Sequence, residues 1–190
     1  MLRRIAACLL PLLLLAGSMA AVTLEKLSLE DMIDSSTLIV RGTISKAAAL
    51  RSGQLVRTEY EVRVSETLKG RTSADGQAGS GLITVSLPGG TADGITQTLA
   101  GVPELRSGEE YVLFLWRARS GRLLLVGMSQ GLLRVNRNAG RATAGRPPID
   151  GTLLDRRTGM AVRDDGLGMR LPALQEAVSR RVRSGQGGRQ

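Results

Sequence analysis

At 190 residues the chain has the length of one domain with room for a tail, and 42% apolar residues with a mean hydropathy near zero mark a folded protein. The formal charge of +9 comes from 26 Lys and Arg against 17 Asp and Glu; there is no histidine and one cysteine. The missing histidine excludes an imidazole base, and a chain whose one cysteine, Cys8, lies in the leader described next has neither a thiol nucleophile nor a Cys/His zinc site.

Residues 1–20 have the order of a secretory signal peptide. "MLRR" is the charged region, "IAACLLPLLLLAG" the apolar one, and Ser18 and Ala20 supply small residues for cleavage between Ala20 and Ala21. The apolar run is too short and proline-broken to span a bilayer, and no second candidate follows, so no transmembrane segment is expected after cleavage. Cys8 precedes the leucine run instead of following it, against the order of a lipoprotein site. A secreted or periplasmic protein without disulfides is expected, held by its core alone. With only four aromatics, Tyr60, Tyr111, Phe114 and Trp116, that core must be Leu, Val, Ile and Met.

Ser28 and Asp31 read as a capping box opening a short helix, with Leu29, Met32 and Ile33 turned inward. A strand is predicted over Thr37–Lys46, and Gly42 inside it signals a bulge. In "VRTEYEVRVS", Val56, Thr58, Tyr60, Val62 and Val64 alternate with polar residues, the pattern of a half-buried strand. Lys69–Gly81 is a loop by composition, followed by strands at Leu82–Leu87 and Ile95–Leu99 around the glycine-rich "PGGTADG". After the turn "VPELRSGEE" comes "YVLFLW", which lacks alternation, as expected for a strand covered on both faces. Glu109 and Glu110, at that turn, are expected at a solvated rim. "RLLLVG" and "LLRVN" are further short strands. Evenly spaced strands with local reversals indicate a meander or Greek-key barrel.

Residues 138–148 read as an Arg-, Gly- and Pro-rich loop, with weak strand signals at 149–154 and 158–162. "LPALQEAVSRRV" puts Leu171, Leu174, Val178 and Val182 on one helical face, and "SGQGGRQ" reads as a frayed tail. The predicted division is a signal peptide at 1–20, a barrel at 21–136, the Arg-rich loop, strand pair and helix packed on it at 137–184, and a disordered tail at 185–190.

"GMSQG", Gly127–Gly131, matches the G-x-S-x-G pattern of a hydrolase elbow around Ser129. That chemistry needs a strand–turn–helix setting and a base, and here the motif lies between two strand-like segments without a histidine in the chain. A turn is the expected reading, and the serine hydrolase the least favoured one. "LPGGTADG" and "RDDG" lack the spacing of phosphate or calcium loops, so no cofactor and no metal is expected. From Ala21 to Trp116 nine cations face twelve acids, whereas from Arg117 onward fifteen arginines face five. That basic half suggests contact with an anionic envelope polymer, with Arg180, Arg181 and Arg183 as its accessible residues. Four aromatics are too few for base stacking, which argues against nucleic acid.

"STLIVRGTIS" (36–45), "YEVRVSETLKG" (60–70), "ITVSLPGG" (83–90), "GVPELRSGEEYVLFL" (101–115) and "GLLRV" (131–135) occur in the order found in exported bacterial proteins of the netrin-like, or TIMP-like, OB-fold group. The chain resembles that group over roughly residues 27–136. The resemblance implies an OB-like five-stranded Greek-key barrel; with the extra strands, the short N-terminal helix and the C-terminal helix read above, the expected fold is mainly β. It also implies an exported module that binds another envelope or extracellular protein, such as a secreted protease; from its residues the chain is expected to be non-catalytic, and it is expected to be monomeric. The group's metalloproteinase inhibitors use an N-terminal cysteine and disulfides; this chain has neither, so that inhibitory chemistry does not carry over.

Overall fold

The computed structural model describes residues 23–72, 81–149 and 152–187. The signal segment 1–20 and its cleavage point at Ala20 and Ala21 lie outside the described residues. The protein is mainly β, with a large sheet and a C-terminal helix. In chain order the elements are β1 (Thr23–Glu25), α1 (Leu29–Ser35), β2 (Leu38–Ser52), β3 (Leu55–Lys69), β4 (Leu82–Pro88), β5 (Gly90–Ala92) and β6 (Ile95–Gln97). They continue with β7 (Glu110–Arg117), β8 (Leu123–Leu125), a 3-10 turn at Met128–Gly131, β9 (Leu132–Asn138) and β10 (Arg141–Arg146). Last come β11 (Thr152–Leu154), β12 (Ala161–Val162), β13 (Leu167–Arg170) and α2 (Leu171–Gly187).

Eight strands form one sheet in the order β13–β10–β9–β7–β2–β3–β4–β8, and β8 also pairs with β7. That extra pairing joins five strands, β7–β2–β3–β4–β8, into a closed circuit. Its contacts are antiparallel except β4–β8, where Val85 meets Leu123 in parallel. Gly42 makes the close approach this curvature needs: the β2–β3 register shifts between Arg41 and Gly42, and a Cβ there would lie 2.6 Å from the Arg63 carbonyl oxygen.

The core has two parts, and β7 separates them. Tyr111, Leu113 and Leu115 point into the circuit with Val62, Val64 and Val85, while Val112 and Phe114 point outward against Met32, Ile33, Leu174 and Val178 of the two helices. Over Tyr111–Leu115 a strand buried on both faces has no polar face to alternate, which is why that stretch reads as a continuous apolar run; Trp116, expected to be covered with it, is instead 40% exposed at the end of the strand. The Ser28–Asp31 capping box forms as its residues dictate, with the Asp31 amide donating to Ser28 Oγ at 3.1 Å and the Ser28 amide to Asp31 Oδ2 at 3.0 Å. The Ser28 hydroxyl, donating to the same Oδ2 at 2.7 Å, and then the Ser28 amide hold the Asp31 carboxyl below the usual carboxylate range.

Three sequence expectations are corrected. The stretch read as an Arg-rich loop at 138–148 contains a strand, β10, paired with β9 and β13. Its alternation is carried by small residues: Ala144 is fully buried and Ala142 partly so. Gly145 lets β13 approach, since a Cβ there would lie 2.7 Å from the Leu167 carbonyl oxygen. The two arms β2 and β3 are longer than the alternation suggests and meet at a two-residue turn, Gly53–Gln54. The C-terminal helix runs on through Gly187, into the segment read as a tail from 185; residues 188–190 lie outside the described residues.

Candidate functional site

Ser129 lies in the 3-10 turn between β8 and β9, with Gly127 before it in the left-handed region at φ 59°. The turn is closed by the Gln130 amide donating to the Gly127 carbonyl at 3.1 Å and the Gly131 amide to Val126 at 3.0 Å. It joins strand to strand, and the elbow geometry that exposes a nucleophile at a helix start is absent from this turn. The informative residue beside it is Gln130, which is 1% exposed. Its Oε1 accepts from the Leu27 amide at 2.8 Å and its Nε2 donates to the Glu25 carbonyl at 2.8 Å, fastening the segment between β1 and α1 to the sheet.

Glu109 and Glu110 are not at a solvated rim. Each side chain is only about one-fifth exposed, because the curved sheet brings cations to both. Glu110 accepts from Arg41 Nη1 at 3.0 Å and from Arg137 Nε at 3.0 Å; Arg41 also donates to Glu66, which Gln175 of α2 reaches at 2.8 Å. Glu109 accepts from Arg134 at 2.6 Å and from the Tyr111 hydroxyl at 2.6 Å. Burial, then the bond to Glu109, push the Tyr111 hydroxyl up. This lattice ties β2, β3, β7, β9 and α2 together and is structural.

"RDDG" supplies a second buried pair. Arg146 and Asp164 contact each other with side chains 8% and 3% exposed, and Asp164 also accepts from the Ile149 amide at 2.8 Å. Burial alone would raise the Asp164 carboxyl; the bonds from Arg146 and Ile149 outweigh it and hold the carboxyl below its usual value.

The arginines proposed for polymer contact are differently placed. Arg180 donates to Glu176 at 2.9 Å and Arg181 Nε to Asp34 of α1 at 2.9 Å, whereas Arg183 is exposed with no ion pair among the described residues. A polymer phosphate or carboxylate would compete with acids already seated on the first two.

The concave surface lies elsewhere, where β2 and β3 extend past the circuit. Two cavities of about 510 Å³ and 610 Å³ flank the segment Thr96–Leu99. The flap β5–β6 that separates them is pinned to β3: the Val56 amide donates to Gln97 Oε1 at 2.6 Å, Gln97 Nε2 to the Gln54 carbonyl at 2.6 Å, and the Gly89 amide to the Val56 carbonyl at 2.8 Å. The smaller cavity is lined by Ala47 and Ala49 of β2, by Tyr60 and Leu87, and by the segment Val102–Leu105. Leu55 and Leu99 on the larger one are 72% and 42% exposed, and Leu50 on the same hairpin is 39% exposed. Three large apolar side chains thus stand in water on the hairpin and around its concave surface. Among the described residues no group of three or more His, Cys, Asp or Glu is placed to hold a metal ion, and no helix is long and apolar enough to cross a membrane. No protein-family model matches the chain, and no curated protein matches it.

Proposed function

We propose that this protein is an exported, non-catalytic binding module, built as an OB-like barrel of the netrin-like or TIMP-like kind, that engages another envelope or extracellular protein. The charged, apolar and small order of residues 1–20 supports export. The strand circuit, with one parallel contact between its third and fifth members in chain order, supports the OB-like reading, as do the quoted segments that resemble that group. The observation that carries the binding reading is the pair of cavities at the β2–β3 hairpin, flanked by exposed Leu50, Leu55 and Leu99.

The test is affinity capture with the mature protein from the envelope fraction and medium of the exporting cell, washed at rising salt. A stoichiometric protein partner that survives high salt is expected, since a desolvated apolar centre is not screened as exposed charge is. Retention only of anionic polymer, abolished by salt, contradicts the reading. So does labelling by a fluorophosphonate probe that disappears in Ser129→Ala, which would restore the hydrolase.

A further inference from the structure

We propose that the free edge of β2 between Lys46 and Ser52 is a strand-addition site, taking an extended segment of the partner that is apolar at alternate positions and acidic at its ends. The proposal rests on the binding reading above and names its surface.

β2 pairs with β7 only from Leu38 to Thr43, and the last bonds on that side are the Ile44 amide to the Glu109 carbonyl at 3.1 Å and the Gly108 amide to the Ile44 carbonyl at 2.9 Å. From Lys46 onward β2 has β3 on one side and, among the described residues, no hydrogen-bonded strand on the other, while Gly90 of β5 packs across its face at Ala49. The two-residue turn makes Ser52 and Leu55 a hydrogen-bonded pair, so Leu50 and Ala48 also face β3 with their backbone groups. Ala47, Ala49 and Arg51 therefore direct their N–H and C=O outward. The other arm agrees: Val56, opposite Arg51, bonds away from β2, to Gln97 and Gly89. Unpaired strand groups in a row are a template for another strand; between the bulge before Lys46 and the exposed Arg51, the run Ala47–Leu50 is Ala-Ala-Ala-Leu, without proline or charge of its own.

Side-chain chemistry selects the occupant. Ala47 and Ala49 line the cavity of about 510 Å³, so alternate residues of an added strand lie over it beside Tyr60, Leu87 and Leu105. A second copy of β2 would offer only its own alanines there, which leave the space unfilled. Lys46, Arg51 and Arg106 stand exposed around the edge, and the ion pair found among them, Lys46 with Glu61, is long at 4.0 Å. A second copy would bring the same cations toward them; a strand with acidic ends would neutralise them.

The test selects binders from a random peptide library against the mature protein. Winners are expected to alternate apolar residues and carry Asp or Glu at their ends. Ala49→Pro removes an amide that points outward, so it should keep the parent's circular dichroism and melting temperature yet weaken the winners by about tenfold or more. Ala47→Phe, which fills the cavity, gives the same loss if the proline variant does not fold. Lys46→Glu with Arg51→Glu should shift the selected ends from acidic to basic. Winners that bind Ala49→Pro and Ala47→Phe as tightly as the parent overturn the site, as does a concentration-dependent dimer that Ala49→Pro dissociates. A captured native partner that both variants hold undiminished overturns this edge while leaving the binding reading intact; a failure to find either peptide or partner overturns both.

Discussion

At Gln130 a single amide side chain satisfies one donor and one acceptor of the N-terminal segment, the Leu27 amide and the Glu25 carbonyl, in a site closed to water. Gln130→Leu keeps the volume and loses both bonds, leaving two backbone groups unpaired, so urea unfolding should show a loss of about 1–3 kcal/mol. Ser129→Ala, one residue away, should stay within about 0.5 kcal/mol of the parent. The reverse ranking would mean that the serine carries the turn. Glu110 is the comparable acid, since Arg41 and Arg137 share it. Glu110→Ala takes the one acid from Arg137 and one of two from Arg41, which is only one-fifth exposed and keeps Glu66, and should cost about 1–2 kcal/mol. These roles were invisible in the sequence for a common reason. Gln130 and Glu25 are 105 positions apart, and Arg41 and Glu110 are 69 apart, so only the folded circuit makes them neighbours.

Among the elements, those that alternate cleanly or run wholly apolar were legible. β3 announced itself through Val56, Tyr60, Val62 and Val64, and α2 through Leu171, Leu174 and Val178, all buried as their spacing requires. What failed was the reading of small residues. Ala142, Ala144 and Gly145 carry too little hydrophobic or β signal to reveal β10, and Ala47–Ala49 hid the outer half of β2, the part that forms the proposed site. Gly42, in contrast, was readable, because a glycine inside an apolar strand has few other reasons to be there. Gly42→Ala pushes a Cβ to 2.6 Å from the Arg63 oxygen, so the bulge must open; a loss of about 1–3 kcal/mol and an altered amide pattern along β2–β3 are expected by NMR. Leu174→Ala, at the contact of α2 with the outer core, should cost about 2–5 kcal/mol. An unchanged stability there would mean that α2 is only loosely applied.

For the whole molecule, the charged groups divide the pH axis simply, because there is no histidine to titrate near neutrality. Asp34, held low by its bond from Arg181, joins Asp31 and Asp164 in having a folded pKa below its unfolded one. Each contributes stability that is present above the unfolded value and lost as pH falls through the folded one. Tyr60 and Tyr111 are raised, chiefly by burial, so their contribution is full below the unfolded value and lost as pH rises through the folded one. Stability should be flat from about pH 5 to 9, falling below about pH 4 and above about pH 10; a sharp step near pH 6.5 would contradict this. The whole fold then presents a stable frame in which the outer half of β2 leaves an unpaired strand edge beside a cavity. Amide hydrogen exchange read residue by residue tests that most directly. In the free protein the amides of Ala48 and Leu50 should be protected by β3 and those of Ala47, Ala49 and Arg51 should exchange freely. When a selected peptide or the captured partner is added, Ala47, Ala49 and Arg51 should become protected together. Protection that instead appears on α2 around Arg180, Arg181 and Arg183, with the β2 edge still exchanging freely, would contradict the account.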